Sequence, residues 1–268
     1  MTRTEDAEHT LVFVDMLGFA ALTEQFPTRL IDTSDEQFKG TSTSLASNQF
    51  NRFNRILEVS VHRQSLSGSV RAMLFSDCAF LEFGNSLLAC LTATELMRDF
   101  ILEKVPVRMG IGRGTFYPFK FSTDITDSTI VTRSLFVGTA VVRAHAAERC
   151  GGKGLRIFVH PSVTPELAVV RQRTKTIALG TSFKDAHWEL DFLYEARPAQ
   201  EKPTPEQANQ GLFEAVQEMK DETIQTKAKR HYIETIKAMN RMRKENSRPP
   251  IISHGRRQRQ SSRQERNA

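Results

Sequence analysis

TLVFVDMLGF, residues 10–19, defines the first element of the predicted fold. Its first seven residues form a compact, β-branched apolar run, which predicts a buried strand. Asp15 lies near the end of this run, and Gly18 separates the strand from a helical pattern that begins with FAALTEQF. The first predicted strand therefore carries a carboxylate at its carboxyl end.

Two further apolar runs, SVRAMLF (69–75) and CAFLEF (78–83), are separated only by Ser76 and Asp77. Two strand-like runs joined in this way predict a tight hairpin with Asp77 at its tip. A second carboxylate is thus expected at a turn that can approach the end of the first strand.

The remaining patterns predict an α+β fold. The order of elements is β-α-α-ββ-α-β-β-α-β, which is typical of a ferredoxin-like sheet with its helices segregated to one face. Helical spacing marks residues 48–64, 86–103 and 138–149, and strand patterns mark residues 105–117, 129–137, 156–160 and 186–194. A polar stretch at 30–42 predicts a loop.

Pro198 and the prolines that follow it predict a domain boundary, with a main domain at 1–198 and a helical appendage at 199–245. Residues 246–268 form a basic tail that we expect to be disordered. The 28 residues from 241 onwards contain nine Lys or Arg and two acidic residues, so the rest of the chain carries about −1 of the +6 net charge. The charge pattern therefore gives no reason to expect nucleic-acid binding by the folded body.

Composition excludes several other classes of protein. No apolar run approaches the ~20 residues of a membrane span, and the polar start MTRTEDAEHT is unlike a signal peptide. The three cysteines have no C-x-x-C spacing, which argues against a disulfide framework or a structural zinc site. We expect a cytoplasmic protein that does not associate with membranes.

Four segments, in order, resemble the catalytic domain of class III nucleotidyl cyclases. They are FVDMLGF (13–19), LFSDC (74–78), VRMGIGRG (107–114) and GGKGLRIFV (151–159). Each segment alone is a weak signal, whereas four in order at compatible spacing are more specific. The resemblance extends from residue 10 to about residue 195.

The resemblance implies a site for two divalent ions, Mn²⁺ or Mg²⁺, bound by Asp15, Asp77 and the carbonyl of Met16. Two cations held by carboxylates suit the cyclisation of a nucleoside triphosphate, because they neutralise the phosphates and activate the attacking hydroxyl. Arg108 corresponds to an arginine that contacts the triphosphate, and Lys184 lies near a phosphate-binding position. Taken singly, either aspartate is typical of an ordinary turn residue, Arg108 of an outward-facing strand arginine in a salt bridge, and Lys184 of a solvated lysine.

The sequence departs from purine cyclases at the positions that read the base and stabilise the transition state. Ungapped alignment places the base-reading positions at Met73 and Leu135, which cannot make the hydrogen bonds that adenine or guanine requires. The transition-state asparagine and arginine fall at Val142 and Ala146. Either the domain is a degenerate cyclase or it uses a different base.

The second explanation fits a resemblance to the pyrimidine cyclases of the Pycsar antiphage system, which share the M-L-G-F motif and an alanine-rich helix with a glutamate. Phe50, Phe53 and Asn54 on the second helix are candidate walls of a smaller base pocket, although helical spacing favours core packing for the two phenylalanines. Arg143 is a candidate replacement for the missing arginine, and Arg149 is the alternative, unless it only complements the helix dipole.

These features favour a pyrimidine nucleotide cyclase, a lyase that converts UTP to 3′,5′-cyclic UMP and pyrophosphate. The resemblance implies a homodimer with two sites at its interface, and a separate effector that the cyclic nucleotide activates during antiphage defence. The alternatives are a cytidylate cyclase that uses CTP, a purine cyclase, a non-catalytic nucleotide-binding module, and a nucleic-acid-binding protein that acts through the tail.

Overall fold

Strand β1 (Glu8–Met16) runs through the middle of a seven-stranded sheet, as its apolar sequence predicts. The computed structural model describes residues 8–25, 45–65, 70–126, 129–167, 179–182, 186–193, 205–223 and 226–246. Four sequence predictions lie outside these residues: the loop at 30–42, Lys184, the boundary at Pro198 and most of the basic tail.

The first part of the chain forms the predicted ferredoxin-like unit. Strands β2 (Val70–Leu74), β3 (Cys78–Phe83), β1 and β4 (Val107–Thr115) lie in that order and are all antiparallel. Helices α1 (Phe19–Gln25) and α2 (Leu45–Ser65) follow β1, and α3 (Ser86–Leu102) connects β3 to β4. The α+β class is confirmed.

The sheet continues beyond β4 with three shorter strands. Strand β7 (Ile157–Val159) pairs parallel to β4, and β9 (Trp188–Leu190) and β8 (Leu179–Ser182) follow in antiparallel order. The predicted strands at 156–160 and 186–194 are therefore present, while β8 was not predicted.

Strands β5 (Tyr117–Thr126) and β6 (Thr129–Val137) form a separate two-stranded ribbon. The predicted strand at 129–137 is confirmed as β6, but its partner β5 was not predicted. Helix α4 (Thr139–Glu148) follows directly, after Gly138.

One face of the seven-stranded sheet carries the main core, the large apolar cluster that includes Val12 and Val14 of β1. Helices α2 and α3 pack on it, together with α5 (Pro205–Glu222) and α6 (Thr226–Asn246). The described part of the predicted helical appendage at 199–245 contains these two helices, and both contribute to the same core as the sheet. None of the described helices combines the length and apolar character needed to cross a membrane.

Helix α4 differs from the other helices because it packs on the opposite face of the sheet. Leu11 and Phe13, which alternate with the core residues of β1, contact Ala140 and Ala144 of this helix. We call this surface the α4 face. The prediction that the helices are segregated to one face therefore holds for α2, α3, α5 and α6, but not for α4.

Glycines in β4 explain the position of α4. A Cβ at Gly110 would overlap the backbone of Ala144, and one at Gly112 would overlap the same turn of the helix. A Cβ at Gly114 would overlap the hydroxyl of Thr139. Residues at alternate positions of a strand share one face, so the three glycines form a groove in which α4 lies directly on the backbone of the sheet.

Candidate active site

Asp15 and Asp77 lie side by side at one end of the α4 face. Asp15 is near the carboxyl end of β1, opposite Cys78 of β3, and Asp77 belongs to the connection that precedes Cys78. The backbone N–H of Met16 donates to the carbonyl of Asp77 at 2.8 Å, which fixes the hairpin tip against the end of β1. Both carboxylate side chains are half-buried.

Arg108 lies in the same row, directly opposite Asp15 on β4. Its Nε donates to Glu148 Oε1 at 2.5 Å, and its Nη1 donates to the carbonyl of Gly152 at 3.1 Å. Glu148 is at the end of α4 and is only 3% exposed, and Arg108 is 17% exposed. A buried carboxylate requires such a partner, so the ion pair joins the end of α4 to the sheet.

The local electrostatics make the site attractive to a cation. Burial raises the pKa of Asp15 to about 6, and the negative charge of Glu148 adds to this effect. Arg108 opposes the shift, Asp77 increases it, and Arg149 opposes it weakly. Burial and the same two aspartates raise the pKa of the Cys78 thiol to about 11. The thiol therefore stays protonated, and the cluster has carboxylates that a bound cation would stabilise.

The donor set suits a hard divalent ion. Asp15 and Asp77 supply carboxylate oxygens on two adjacent rigid elements, the ligand type that Mg²⁺ and Mn²⁺ prefer. Within the described part of the chain, no three His, Cys, Asp or Glu side chains are arranged as a metal-binding group. Because Mg²⁺ usually retains several waters and uses one or two carboxylates together with substrate phosphates, a two-carboxylate site still fits such an ion.

Sequence reasoning did not assign a role to Glu148. It lies 40 residues from Arg108, and neither hydrophobic period nor local motif relates the two positions. A signal was nevertheless present, since the alanine-rich helix carries this single glutamate and packs on a glycine-rich strand.

The two base-reading positions lie in different sheets. Met73 is on β2 opposite Phe80 of β3, and it packs against the aromatic cluster of the α4 face. Leu135 is on β6, opposite Phe119 of the ribbon. Within this cluster Phe13 and Phe80 stack with their ring centroids 4.6 Å apart, and Phe136 packs against Phe80 at 5.1 Å.

Phe50 and Asn54 do not meet the aspartates within one protomer. They belong to α2, which covers the main core on the opposite face of the sheet. Asn54 donates to the carbonyl of Phe50 at 3.0 Å, and Phe53 between them is fully buried against Phe100.

The arginines of α4 have different environments. Arg143 Nη1 donates to the carbonyl of Arg113 at 2.6 Å, so its side chain is held against β4 away from Asp15. Arg149 is exposed and close enough to Asp15 to lower the pKa of that carboxyl. Val142 and Ala146 lie on the exposed outer side of the helix, with Val142 69% exposed.

Comparison with known proteins identifies structural relatives only. No protein-family model and no curated protein matches the sequence. The guanylate cyclase domain of RhGC from Catenaria anguillulae, solved with GTP, is 13% identical, and the match covers 69% of this chain and 94% of that domain at a TM-score of 0.45.

Two other solved structures are similar to a comparable degree. The catalytic core of a rhodopsin-guanylyl cyclase with converted specificity, solved with ATPalphaS, is 15% identical over 74% of this chain and 100% of that core, with a TM-score of 0.47. The adenylyl cyclase CyaB from P. aeruginosa is 16% identical over 71% of this chain and 95% of that chain, with a TM-score of 0.44. With identities of 13–16% and TM-scores below 0.5, these similarities assign no function to this chain.

Proposed function

We propose that this protein is a nucleotide cyclase that converts UTP to 3′,5′-cyclic UMP and pyrophosphate. The observation that carries the proposal is the juxtaposition of Asp15 and Asp77, which the Met16–Asp77 hydrogen bond holds at the open end of the α4 face. Burial and neighbouring anions raise the pKa of Asp15, so ionising this carboxyl in the folded protein is unfavourable. A cation between the two carboxylates would offset that electrostatic cost.

The reaction forms a bond between the ribose 3′-oxygen and the α-phosphorus, and it breaks the bond from that phosphorus to the bridging oxygen of the β-phosphate. Pyrophosphate leaves, and the 3′-hydroxyl releases its proton. When bound, Mn²⁺ or Mg²⁺ supplies charge neutralisation and lowers the pKa of the hydroxyl. Asp15 and Asp77, with the carbonyl of Met16, would hold these ions, and the hairpin and strand would fix their positions.

Arg108 and Arg149 provide the positive charge of this end of the sheet. We propose that Arg149, which is exposed and close to Asp15, contacts the triphosphate or its transition state in place of the missing family arginine. Arg143 and Arg149 were the two sequence candidates for this role, and the bond of Arg143 to the Arg113 carbonyl favours Arg149. Arg108, paired with Glu148, would reach a phosphate only by exchanging that partner.

The choice of a pyrimidine rests on the two base-reading positions. Met73 and Leu135 have no hydrogen-bonding groups in their side chains, so they do not match the donor and acceptor pattern of adenine or guanine. UTP is favoured, and a cytidylate cyclase that makes cyclic CMP from CTP is the alternative. The resemblance to Pycsar cyclases supports a role in antiphage defence, with a separate effector that responds to the product.

The proposed enzyme is a homodimer with its sites at the interface, as the resemblance to class III cyclases implies. Exposed apolar side chains near the site, including Leu74, Phe75 and Val142, provide a surface that a second copy would cover. Phe50, Asn54 and Leu135 would then act across the interface.

A non-catalytic nucleotide-binding module is the second candidate, and one observation favours it. The guanidinium of Arg108 is already bound to Glu148 and to Gly152, so it is not poised for a phosphate. Such a protein would bind a nucleoside triphosphate without releasing pyrophosphate.

Incubation with Mn²⁺ and each of the four ribonucleoside triphosphates separately, followed by mass spectrometry, tests the proposal. We expect cyclic UMP from the wild type and none from Asp77→Asn. Asp99→Asn is the matched control. Asp99 lies on α3, the helix that packs on the main core, and it pairs with Arg63 and not with a residue of the candidate site. Absence of a cyclic product from every nucleotide, with UTP still bound, would support the binding module instead.

A further inference from the structure

The segment from Cys150 to Leu155, here called the glycine loop, connects α4 to β7 and reaches the candidate site. The carbonyl of Gly152 accepts a hydrogen bond from Arg108 Nη1 at 3.1 Å. Gly152 itself is buried against the ring of Phe158, where a Cβ would overlap the ring atoms. The position of this loop therefore helps to set the position of the Arg108 guanidinium.

Helix α6 holds the other end of the glycine loop. The hydroxyl of Thr235 accepts the backbone N–H of Leu155 at 2.8 Å and donates to the carbonyl of His231 at 2.9 Å. Nδ1 of His231 accepts the N–H of Gly154 at 3.3 Å. Burial, and then Arg108, lowers the pKa of His231, which keeps the imidazole neutral and able to accept.

A glycine in the sequence of the glycine loop allows α6 to approach the loop closely. Gly154 has a φ of +98°, and a Cβ there would lie 2.7 Å from the Thr235 hydroxyl and 2.9 Å from the His231 carbonyl. Any larger residue would strain the backbone and push the helix away. Thr235 is fully buried, so water cannot readily replace its hydrogen bond to the loop.

A second contact joins α6 to the same region of the sheet. Arg156, which follows the glycine loop, makes two bonds to the buried Glu189, at 2.5 and 2.7 Å. Arg241 of α6 pairs with the same carboxylate. The carbonyl of Arg156 accepts the N–H of Met109, the residue next to Arg108. The contacts of Thr235 and of Arg241 therefore both connect α6 to the part of β4 that carries Arg108.

From these contacts we infer that α6 is a positioning element of the active site, and that Thr235 is its main positioning residue. Thr235 fixes the glycine loop, the loop carbonyl of Gly152 orients Arg108, and Arg108 aligns Glu148 beside Asp15. Thr235 touches neither substrate nor metal. The inference rests on the proposed cyclase function for its kinetic consequence, while the structural chain of contacts is independent of that function.

The kinetic test compares Thr235→Val, Thr235→Ser and Thr94→Val. Valine keeps the volume of threonine and removes the hydroxyl, and serine restores it. Thr94 on α3 is the matched control, because its hydroxyl also bonds the carbonyl four residues earlier, that of Cys90, but holds no loop. We expect Thr235→Val to lower kcat about tenfold at nearly constant KM, since misplaced groups in the site slow the reaction step. Thr235→Ser should recover most of the rate, and Thr94→Val should retain it.

The inference is overturned if Thr235→Val keeps the wild-type kcat, or if Thr94→Val loses as much rate at an equal change in Tm. The second result would show that general loss of stability, and not loop position, controls the rate.

A measurement that does not require activity separates this inference from the proposed function. The Nε–H of Arg108 can be followed by NMR, because an arginine side chain in a buried ion pair exchanges its proton slowly with water. We expect Thr235→Val to accelerate this exchange at least fivefold and Thr94→Val to leave it unchanged. If the wild type made no cyclic nucleotide but Thr235→Val still accelerated the exchange, the cyclase proposal would fail and the positioning role would stand. Unchanged exchange in Thr235→Val would contradict the positioning role itself.

Discussion

The two faces of the sheet differ in how they are covered. On one face, helices α2, α3, α5 and α6 bury an apolar cluster in which most side chains are fully inaccessible. On the α4 face, among the described elements, one helix lies directly on glycines, and the site end brings Asp15, Arg108 and Glu148 together. The first face provides stability, and the second tolerates the buried charges that a reaction requires.

The two faces of the sheet also differ in their charged groups. The main core is a large cluster of apolar side chains, whereas the site end of the α4 face has carboxylates and a guanidinium within one ion-paired cluster. Removing a side chain from the first face should affect folding most. Changing charges on the second face should affect folding less and function more.

Truncation of a core aromatic residue should have the largest effect on stability. Phe53 is fully buried and stacks on Phe100 with centroids 5.4 Å apart, so Phe53→Ala should lower the free energy of unfolding by about 3–5 kcal/mol. Urea denaturation measures this loss. Phe75→Ala on the α4 face is the control, because Phe75 is 44% exposed and its truncation should cost less than about 1 kcal/mol. Equal losses would remove the distinction between the faces.

Adding a methyl group under α4 should have the next largest effect. A Cβ at Gly110 would overlap the backbone of Ala144 and of Glu148, so Gly110→Ala should destabilise the protein by about 2–3 kcal/mol and displace the helix. Gly211→Ala is the control, since Gly211 is in α5 with open space around it. That change should stabilise the protein by about 0.5–1 kcal/mol, because alanine favours helix. A neutral Gly110→Ala would show that α4 does not lie on the β4 backbone.

Removal of the Asp15 charge should have a smaller, pH-dependent effect. The pKa of Asp15 is about 6 in the folded protein and 3.8 in its ordinary state, so the carboxyl favours folding when protonated. Stability is therefore lost as the pH rises from about 4 to about 6, and the loss is complete above pH 6. With a chelator present, Asp15→Asn should stabilise the protein by about 1 kcal/mol at pH 7.5, after allowance for solvent screening, and by much less near pH 4.

Thermal denaturation across pH checks this prediction. Glu58→Gln, at an exposed position on α2, controls for the loss of one negative charge. If Asp15→Asn destabilised the protein at pH 7.5 in the absence of metal, the carboxylate would be well compensated within the protomer, and the account of an unbalanced anionic site would be wrong.

Local patterns in the sequence predicted the elements that hold Asp15 and Asp77. The apolar run of β1 and the short connection between β2 and β3 each depend on neighbouring residues, so hydrophobic period and turn chemistry were sufficient. Helix α3 was also predicted to within a residue, and its N-cap Asn85 accepts the N–H of Leu88. These signals relate residues that are a few positions apart in the sequence, which is the range over which sequence patterns predict structure.

Contacts between distant segments could not be predicted in the same way. The pairing of Arg108 with Glu148 depends on α4 crossing β4, and the contact of Thr235 with Leu155 depends on α6 returning to the sheet. The alternate glycines of β4 indicated that a helix approaches the strand closely, but they did not indicate which helix. The ribbon strand β5 has a mixed polar sequence, and it pairs with β6 along most of its length.

Binding of Mn²⁺ tests most directly the claim that the open end of the α4 face is a cation site. Titration by electron paramagnetic resonance, with a non-hydrolysable UTP analogue present, would compare the wild type with Asp15→Asn, Asp77→Asn and the control Asp99→Asn. We predict that each of the first two substitutions weakens Mn²⁺ binding at least tenfold, and that the control binds as the wild type does. Equal binding by all four proteins would contradict the account.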